Sequence, residues 1–176
     1  MGVLNYLVEG GSGTGKTAVC DELRRRGYHA IHGDRDLAYQ GDPGTGAPTD
    51  GVSMSPRARY EQHLWDVGKV EALIANQDEA VMFFCGGSRN FDSFIELFDG
   101  VFILKVDLET LNRRIDARLL ADPSDWGGGP GERELITQLH EAREGVPENG
   151  VAIDATAPLV TVVDEILRHV RSQPPA

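Results

Sequence analysis

A glycine-rich stretch near the start constrains this chain more than any other feature. Residues 10–17 read GGSGTGKT, with four glycines in eight positions, and they follow the apolar run VLNYLV. Glycines let successive backbone N–H groups turn toward one point, because no side chain obstructs them. Helical spacing follows the loop as far as Gly27. This succession of strand, tight loop and helix is typical of a parallel α/β sheet.

The same eight residues match the phosphate-binding pattern G-x-x-x-x-G-K-[ST] in full. The helix N-terminus adds partial positive charge, Lys16 can reach the β- and γ-phosphates of a nucleotide, and the Thr17 hydroxyl can hold Mg²⁺. We therefore predict that the chain binds ATP and Mg²⁺. The residues predicted to contact the nucleotide here are Gly11, Ser12, Gly13, Thr14, Gly15, Lys16, Thr17 and Ala18.

The length and net charge of the chain limit the kinds of molecule that it is expected to bind. The chain has 176 residues, which suits one domain, and a formal net charge of −11. Nucleic acids and anionic membranes attract basic surfaces, so we expect neither as a partner and expect a small-molecule acceptor instead. Cys20 and Cys85 are interpreted as reduced core residues. Because no leader-like or membrane-spanning apolar run is evident, we expect a cytoplasmic monomer or homodimer.

Strands and helices alternate along the sequence, which favours helices on both faces of the sheet. We predict five strands, at 3–8, 28–32, 80–85, 101–106 and 150–154. The predicted helices after the first lie at 55–76, 91–98, 108–119, 132–144 and 158–171. Two stretches rich in glycine and proline, 39–54 and 121–132, are predicted to be long loops. Loops of that length inside a domain typically serve as lids or binding loops.

Acidic residues follow the second predicted strand, in the segment HGDRD at 32–36. Ligands of open parallel sheets lie at the carboxyl ends of the strands, so we expect Asp34 beside the phosphate loop. A carboxylate there can accept the proton of an attacking hydroxyl or hold Mg²⁺ through water. Asp36 could take whichever of these two roles, proton acceptor or Mg²⁺ ligand, Asp34 does not. A solvated turn is the structural alternative.

Arginines occupy two further positions of interest. Arg89, in GGSRN after the third strand, could bind a phosphate or carboxylate of the acceptor. Arg114 and Arg118 lie one helical turn apart, just before the loop DWGGGPGE. We predict that these two close over ATP and neutralise charge on the transferring phosphoryl group. Solvated surface arginines are the alternative in each case.

Trp65 is predicted to lie on the helix that follows the first long loop. Its ring could stack on a planar substrate or belong to the core, and the sequence leaves both open. The histidines and cysteines lack the spacing of zinc ligands. A GTPase would need an Asn-Lys-x-Asp guanine reader, which is absent, and a motor ATPase would need an apolar strand ending in Asp-Glu. Here AVMFFC is followed by Gly86 and Gly87, and Asp107 is more simply a helix cap.

The chain resembles the small P-loop kinases, a superfamily that includes adenylate, shikimate, gluconate and dephospho-CoA kinases. Within it, the chain looks most like small bacterial ATP-binding proteins of the nucleoside kinase type. The segments that carry the resemblance are GGSGTGKT, HGDRD, CGGSRN, LNRRIDAR, DWGGGPGE and IDATAPL. The resemblance implies an α/β, three-layer P-loop NTPase fold with a five-stranded parallel sheet of order 2-3-1-4-5. It also implies a substrate-binding insert at 37–76 and a lid at 119–132 within one domain at 1–171. The last residues, SQPPA at 172–176, are predicted from their composition to be a disordered tail.

The resemblance further implies roles for individual residues. Ala155 and Pro158 would help to bind adenine together with the lid arginines, and Asp34 would face the acceptor hydroxyl. An arginine that usually opens the nucleoside-monophosphate unit is not evident, unless Arg57 or Arg59 serves. The residues expected around the acceptor are Asp34, Asp36, Arg57, Trp65 and Arg89, and those expected near the metal are Thr17, Asp34 and Asp36.

These expectations amount to an ATP-dependent kinase, with Lys16, Asp34, Arg114 and Arg118 as its catalytic residues. The acceptor would be a nucleoside, a nucleotide or a similar hydroxyl compound. One alternative is an antibiotic or secondary-metabolite phosphotransferase, since chloramphenicol-type enzymes share this layout. A non-enzymatic alternative is a regulator that senses nucleotide without transferring its phosphate.

Overall fold

A computed structural model describes residues 3–52 and 54–173 of the chain. Its strands are β1 (Leu4–Gly10), β2 (His29–His32), β3 (Ala38–Gln40), β4 (His63–Trp65), β5 (Val81–Cys85), β6 (Gly100–Lys105) and β7 (Val151–Asp154). Its helices are α1 (Lys16–Arg25), α2 (Gly33–Asp36), α3 (Pro56–Glu61), α4 (Val67–Ala75), α5 (Leu108–Ala121), α6 (Glu132–Ala142) and α7 (Leu159–Ser172). Among the described residues, no helix is both long enough and apolar enough to cross a bilayer.

The main sheet is parallel and has the strand order β2-β5-β1-β6-β7. Counted along the chain, its own five strands follow the order 2-3-1-4-5. The prediction missed β3 and β4, which pair antiparallel in a separate sheet of two strands, so the numbering over the whole chain differs from the one expected. The predicted α/β class and five-stranded parallel sheet are confirmed.

Each face of the sheet carries its own core, because successive residues of a strand point to opposite sides. On one face, Tyr6 and Val8 of β1 pack with apolar residues of α1 and α7. On the other face, Leu7 packs with α4 and with two short 3₁₀ turns, Phe91–Ser93 and Ile95–Leu97. A third cluster joins α5 to α6 beside the lid. Cys20 and Cys85 are free and buried in the first of these cores.

Helix caps predicted from the sequence are present. The Asp107 side chain accepts a hydrogen bond from the Thr110 amide at 2.7 Å and begins α5. Ser55 does the same for the Ala58 amide at 3.2 Å and begins α3, with Pro56 in the first turn. These caps satisfy amides that a helix start leaves without an intrahelical partner.

The single helix predicted at 55–76 is wrong, and the insert is built differently. Its helix α3 ends at Glu61, residues 63–65 form β4, and a new helix, α4, begins after Asp66. Strand β4 pairs with β3, so the stretch 39–54 also begins in regular structure. Tertiary pairing overrides helix propensity in this segment. The predicted short helix at 91–98 is likewise a pair of 3₁₀ turns.

The ends of two predicted segments also change. Helix α5 includes residues 119–121, so the irregular part of the lid spans 122–131; we call residues 122–131 the lid below. Ser172 belongs to α7, and the Tyr6 hydroxyl donates to Oε1 of Gln173 at 2.7 Å. The predicted tail therefore does not begin at 172. Its residues 174–176 lie outside the described residues.

Candidate active site

A cleft of about 1450 Å³ opens at the carboxyl edge of the main sheet. Parallel strands of open α/β sheets bind ligands at this edge. The loop 10–17, called the P loop below, lines one part of the cleft, and residues of the insert, the lid and the α6–β7 connection line the rest. The cleft therefore brings the P loop together with Asp34, Arg89, Arg114 and Arg118.

The P loop is tightly wound against its neighbours. Gly15 has φ 102° and precedes α1, a backbone conformation that favours glycine. A Cβ at Gly10 would lie 2.5 Å from Oγ1 of Thr14, so only glycine fits this position. The Thr14 hydroxyl donates to the Gly11 carbonyl at 2.8 Å and holds the turn closed. The loop has the shape that brings backbone amides and a helix N-terminus to one anion.

Lys16 lies across the mouth of the P loop. Its Nζ donates to the carbonyl oxygens of Gly10 at 2.6 Å and Gly11 at 2.8 Å. Burial lowers the pKa of Lys16, although the carboxylates of Asp34 and Glu9 oppose that effect. A half-buried ammonium group whose hydrogen bonds all go to carbonyls gains strongly from an anionic partner. Phosphate oxygens would supply that partner.

Asp34 lies at the start of the one-turn helix α2, directly after β2. Its Oδ1 accepts hydrogen bonds from His63 Nε2 at 3.0 Å, Trp65 Nε1 at 3.3 Å and the Gly87 amide at 3.2 Å. Burial alone would raise the pKa of Asp34, but the His63 hydrogen bond, the Lys16 charge and the Gly87 amide hold it below its ordinary value. The carboxylate is therefore charged at neutral pH and fixed in orientation.

Glu9 is a buried carboxyl that the sequence analysis missed. It ends the apolar part of β1, is 1% exposed, and its Oε1 accepts a hydrogen bond from the Gly10 amide at 3.0 Å. Burial raises the pKa of Glu9 to about 7, against the lowering effects of Lys16, Arg89 and the Gly10 amide. The signal was present: a single carboxylate stands at the end of an apolar strand, directly before the P loop.

Arg89 lies on the insert side of the cleft. Its guanidinium stacks over the Tyr60 ring at 4.2 Å and donates to the Tyr60 hydroxyl. Arg89 and Gln40 each carry one buried atom with no hydrogen-bond partner among the described residues, Nε and Oε1. Buried polar groups are normally hydrogen-bonded, so these two atoms are exceptions among the described residues.

Arg114 and Arg118 both reach the P loop from α5, as their helical spacing predicts. Arg114 donates to the Thr14 carbonyl at 2.9 Å and to the Ala155 carbonyl, and burial lowers its pKa. Arg118 donates to the Trp126 carbonyl and lies 3.4 Å from the Ser12 hydroxyl. Arg114 thus braces the loop, whereas Arg118 joins it to the lid.

Several predicted site residues lie elsewhere. Trp65 is in β4, is 1% exposed and stacks on Phe94 with centroids 5.6 Å apart, so the core alternative is right and the substrate-stacking alternative is wrong. Arg57 pairs with Glu144 at 2.9 Å. The cleft lining does not include Asp36, Arg57, Ala155 or Pro158. Ala155 contributes its carbonyl to Arg114, and Pro158 directly precedes α7.

The donor set fits the way Mg²⁺ binds beside nucleotides. Thr17 is exposed at the start of α1 and lines the cleft, and Asp34 faces the same cavity. No group of three or more His, Cys, Asp or Glu residues with metal-site geometry occurs within 3–52 and 54–173. Magnesium usually takes one or two protein ligands and completes its shell with water and substrate phosphates. Thr17 and Asp34 are the residues that would hold it, directly or through water.

Comparison with known proteins identifies the fold. No family model matches the chain, and no curated protein matches it. Among solved structures, a sugar kinase from Janibacter sp. HTCC2649 has 16% identity and a TM-score of 0.59, covering 98% of this chain and 96% of that one. A gluconokinase from Sinorhizobium meliloti 1021 has 20% identity and a TM-score of 0.53, with coverages of 97% and 98%. A shikimate kinase from Bacteroides thetaiotaomicron has 14% identity and a TM-score of 0.60, with coverages of 96% and 98%.

These likenesses extend over nearly the whole of each chain. The protein therefore has the fold of the small P-loop kinases, the class that the sequence resembles. At such low sequence identities, structural similarity is evidence for the fold alone, and the chemistry depends on the residues of the cleft.

Proposed function

We propose that this protein is an ATP-dependent kinase that transfers the γ-phosphoryl group of Mg·ATP to a hydroxyl of a small molecule. One observation carries the proposal: the P loop with Lys16 and the oriented carboxylate of Asp34 line the same cleft. A phosphate-binding loop alone would fit any nucleotide-binding protein. A carboxylate fixed beside it supplies the group that a hydroxyl acceptor needs.

The residues of the cleft have different roles in the proposed reaction. The P-loop amides and Lys16 bind the β- and γ-phosphates, and Arg118 adds positive charge from the lid side. A bond forms between the acceptor oxygen and the γ-phosphorus, while the bond from that phosphorus to the β–γ bridging oxygen breaks and ADP leaves. The acceptor proton passes to Asp34. Because its pKa is held low, Asp34 mainly orients the hydroxyl and takes the proton late.

The acceptor side of the cleft supports a polar molecule. Arg89 brings positive charge to this wall of a chain whose net charge is −11, and Gln40 adds an amide. We propose a nucleoside, a nucleotide or a similar hydroxyl compound. The structural neighbours, a sugar kinase, a gluconokinase and a shikimate kinase, support an acceptor rich in hydroxyl groups.

The test is a panel of candidate acceptors. The protein is incubated with Mg·ATP and single nucleosides, nucleotides, sugars, sugar acids and aminocyclitols, and ADP is measured by a coupled assay. We expect ADP release that depends on one class of acceptor and disappears in Lys16→Ala. Tight binding of ATP with no acceptor-dependent ADP across the panel would favour the nucleotide-sensing regulator instead.

A further inference from the structure

Arg59 on the insert makes two contacts to the lid region. Its Nη1 lies 3.0 Å from Oε1 of Glu132, and its guanidinium lies 5.2 Å above the ring of Trp126. Helix α3 belongs to the insert, whereas Trp126 is in the lid and Glu132 begins α6 directly after it. Arg59 thus links the insert to the lid region, two segments that both line the cleft.

Glu132 is the residue that shapes the lid. Its Oε2 accepts hydrogen bonds from the amides of Gly127 at 2.8 Å and Gly129 at 2.9 Å, and the residue is 7% exposed. Arg59 is its cationic partner. Loss of Arg59 would leave a buried carboxylate with no counter-charge in contact, which costs far more than loss of an exposed ion pair.

The lid is in turn tied to the P loop. Arg118 donates to the Trp126 carbonyl, lies 3.4 Å from the Ser12 hydroxyl and pairs with Asp125 at 3.4 Å. Contacts therefore run without interruption from the insert through Arg59 to the lid, and from the lid through Arg118 to the P loop.

We propose that Arg59 is a positioning residue that makes the lid and the insert close over the cleft as one unit. This inference rests on the proposed function in one respect: closure would enclose nucleotide and acceptor together. Since coupling between two sites is reciprocal, a ligand that orders one side of the cleft also favours closure of the other.

Helix α3 provides a matched control within the same element. Arg57 pairs with Glu144 at 2.9 Å, and the Tyr60 hydroxyl donates to the Glu144 carbonyl at 3.2 Å. These contacts attach α3 to the segment after α6 and not to the lid. Substitution of Arg57 therefore removes an arginine from the same helix and leaves the lid contact in place.

The first test uses the protein without ligand. Hydrogen exchange of the lid amides, 122–131, is compared in wild type, Arg59→Gln, Arg59→Lys and Arg57→Gln, with Trp126 fluorescence as a second readout. We expect about tenfold faster lid exchange and more exposed Trp126 emission in Arg59→Gln, since a charge-assisted bond to a buried group is lost. We expect Arg57→Gln to match wild type and Arg59→Lys to recover most of the protection.

The second test adds the probe Mg·AMP-PNP. We expect its affinity to fall about tenfold in Arg59→Gln and to stay unchanged in Arg57→Gln. Lid exchange that is equal in Arg59→Gln and wild type would overturn the inference, as would equally fast lid exchange in Arg59→Gln, Arg59→Lys and Arg57→Gln. If the lid loosens in Arg59→Gln but wild type does not bind AMP-PNP, the role of Arg59 in holding the lid is supported and the proposed function is contradicted.

Discussion

Two carboxyl groups near the P loop have pKa values shifted in opposite directions. Three donors and the Lys16 charge keep Asp34 ionised, whereas burial raises the pKa of Glu9 to about 7. Environments that separate two titratable groups in this way assign them different roles. Asp34 is the carboxylate available to an acceptor, and Glu9 is a buried group whose charge responds to pH near neutrality.

Substitution of Asp34 by asparagine tests its role at the acceptor. We expect Asp34→Asn to lower kcat by about 10²-fold to 10⁴-fold, because the group that orients the hydroxyl and takes its proton is lost. Affinity for Mg·AMP-PNP, measured by calorimetry, should fall far less than kcat, since Asp34 would share the hold on Mg²⁺ with Thr17 and the phosphates. Activity equal to that of wild type with the acceptor found in the panel would remove Asp34 from the mechanism.

Glu9 makes stability depend on pH. A carboxyl whose pKa is raised in the folded state favours folding below its unfolded value, and that contribution is lost as pH rises through about 7. We expect Glu9→Gln to be more stable than wild type at pH 8, by about 3 kcal/mol, with the difference shrinking toward pH 5. Urea unfolding of both proteins at the two pH values measures this, and a difference that is the same at both would contradict it.

At the scale of elements, the sequence predicted best where local signals and tertiary packing agree. Strand β5 is a continuous apolar run, and α5 has a capping Asp107 and a regular apolar face, so both were found. The insert was predicted worse, because residues 63–65 leave a helical pattern to pair with β3. No local signal in the sequence specifies that pairing, which depends on contacts across more than twenty residues.

The same limit applies to the candidate site. A spacing rule places Arg114 and Arg118 on one face, and the motif identifies Lys16 directly. The lid contact of Arg59 and the His63 hydrogen bond to Asp34 join residues distant in sequence, so no spacing rule could find them. The sequence leaves the role of Trp65 open, because an aromatic residue suits both a core and a binding site, and only its packing on Phe94 decides between them.

Trp65 packs the insert against the sheet, so its removal should lower the stability of the folded protein. We expect Trp65→Ala to lower the free energy of unfolding by about 3–5 kcal/mol, because it removes a fully buried ring that stacks on Phe94. Leu120, which is 87% exposed, is the control, and Leu120→Ala should stay within about 0.5 kcal/mol of wild type. Equal chemical denaturation curves for the two variants would contradict this packing.

For the whole molecule, charge is distributed to suit one anionic ligand. The chain is strongly acidic, with a net charge of −11, whereas the described lining of the cleft has seven Lys and Arg residues against six Asp and Glu residues. A cleft that is less acidic than the rest of the protein favours anions there over the remaining surface. Ligand binding to the folded state should therefore raise Tm with Mg·ATP concentration.

Calorimetric titration of the protein with Mg·AMP-PNP, at two temperatures so that a zero enthalpy cannot hide binding, tests the central claim most directly. We expect one site per chain in wild type and an affinity at least about tenfold weaker in Lys16→Ala, since a buried charge contact to phosphate is lost. Absence of binding in wild type, or equal affinities in wild type and Lys16→Ala, would contradict the account.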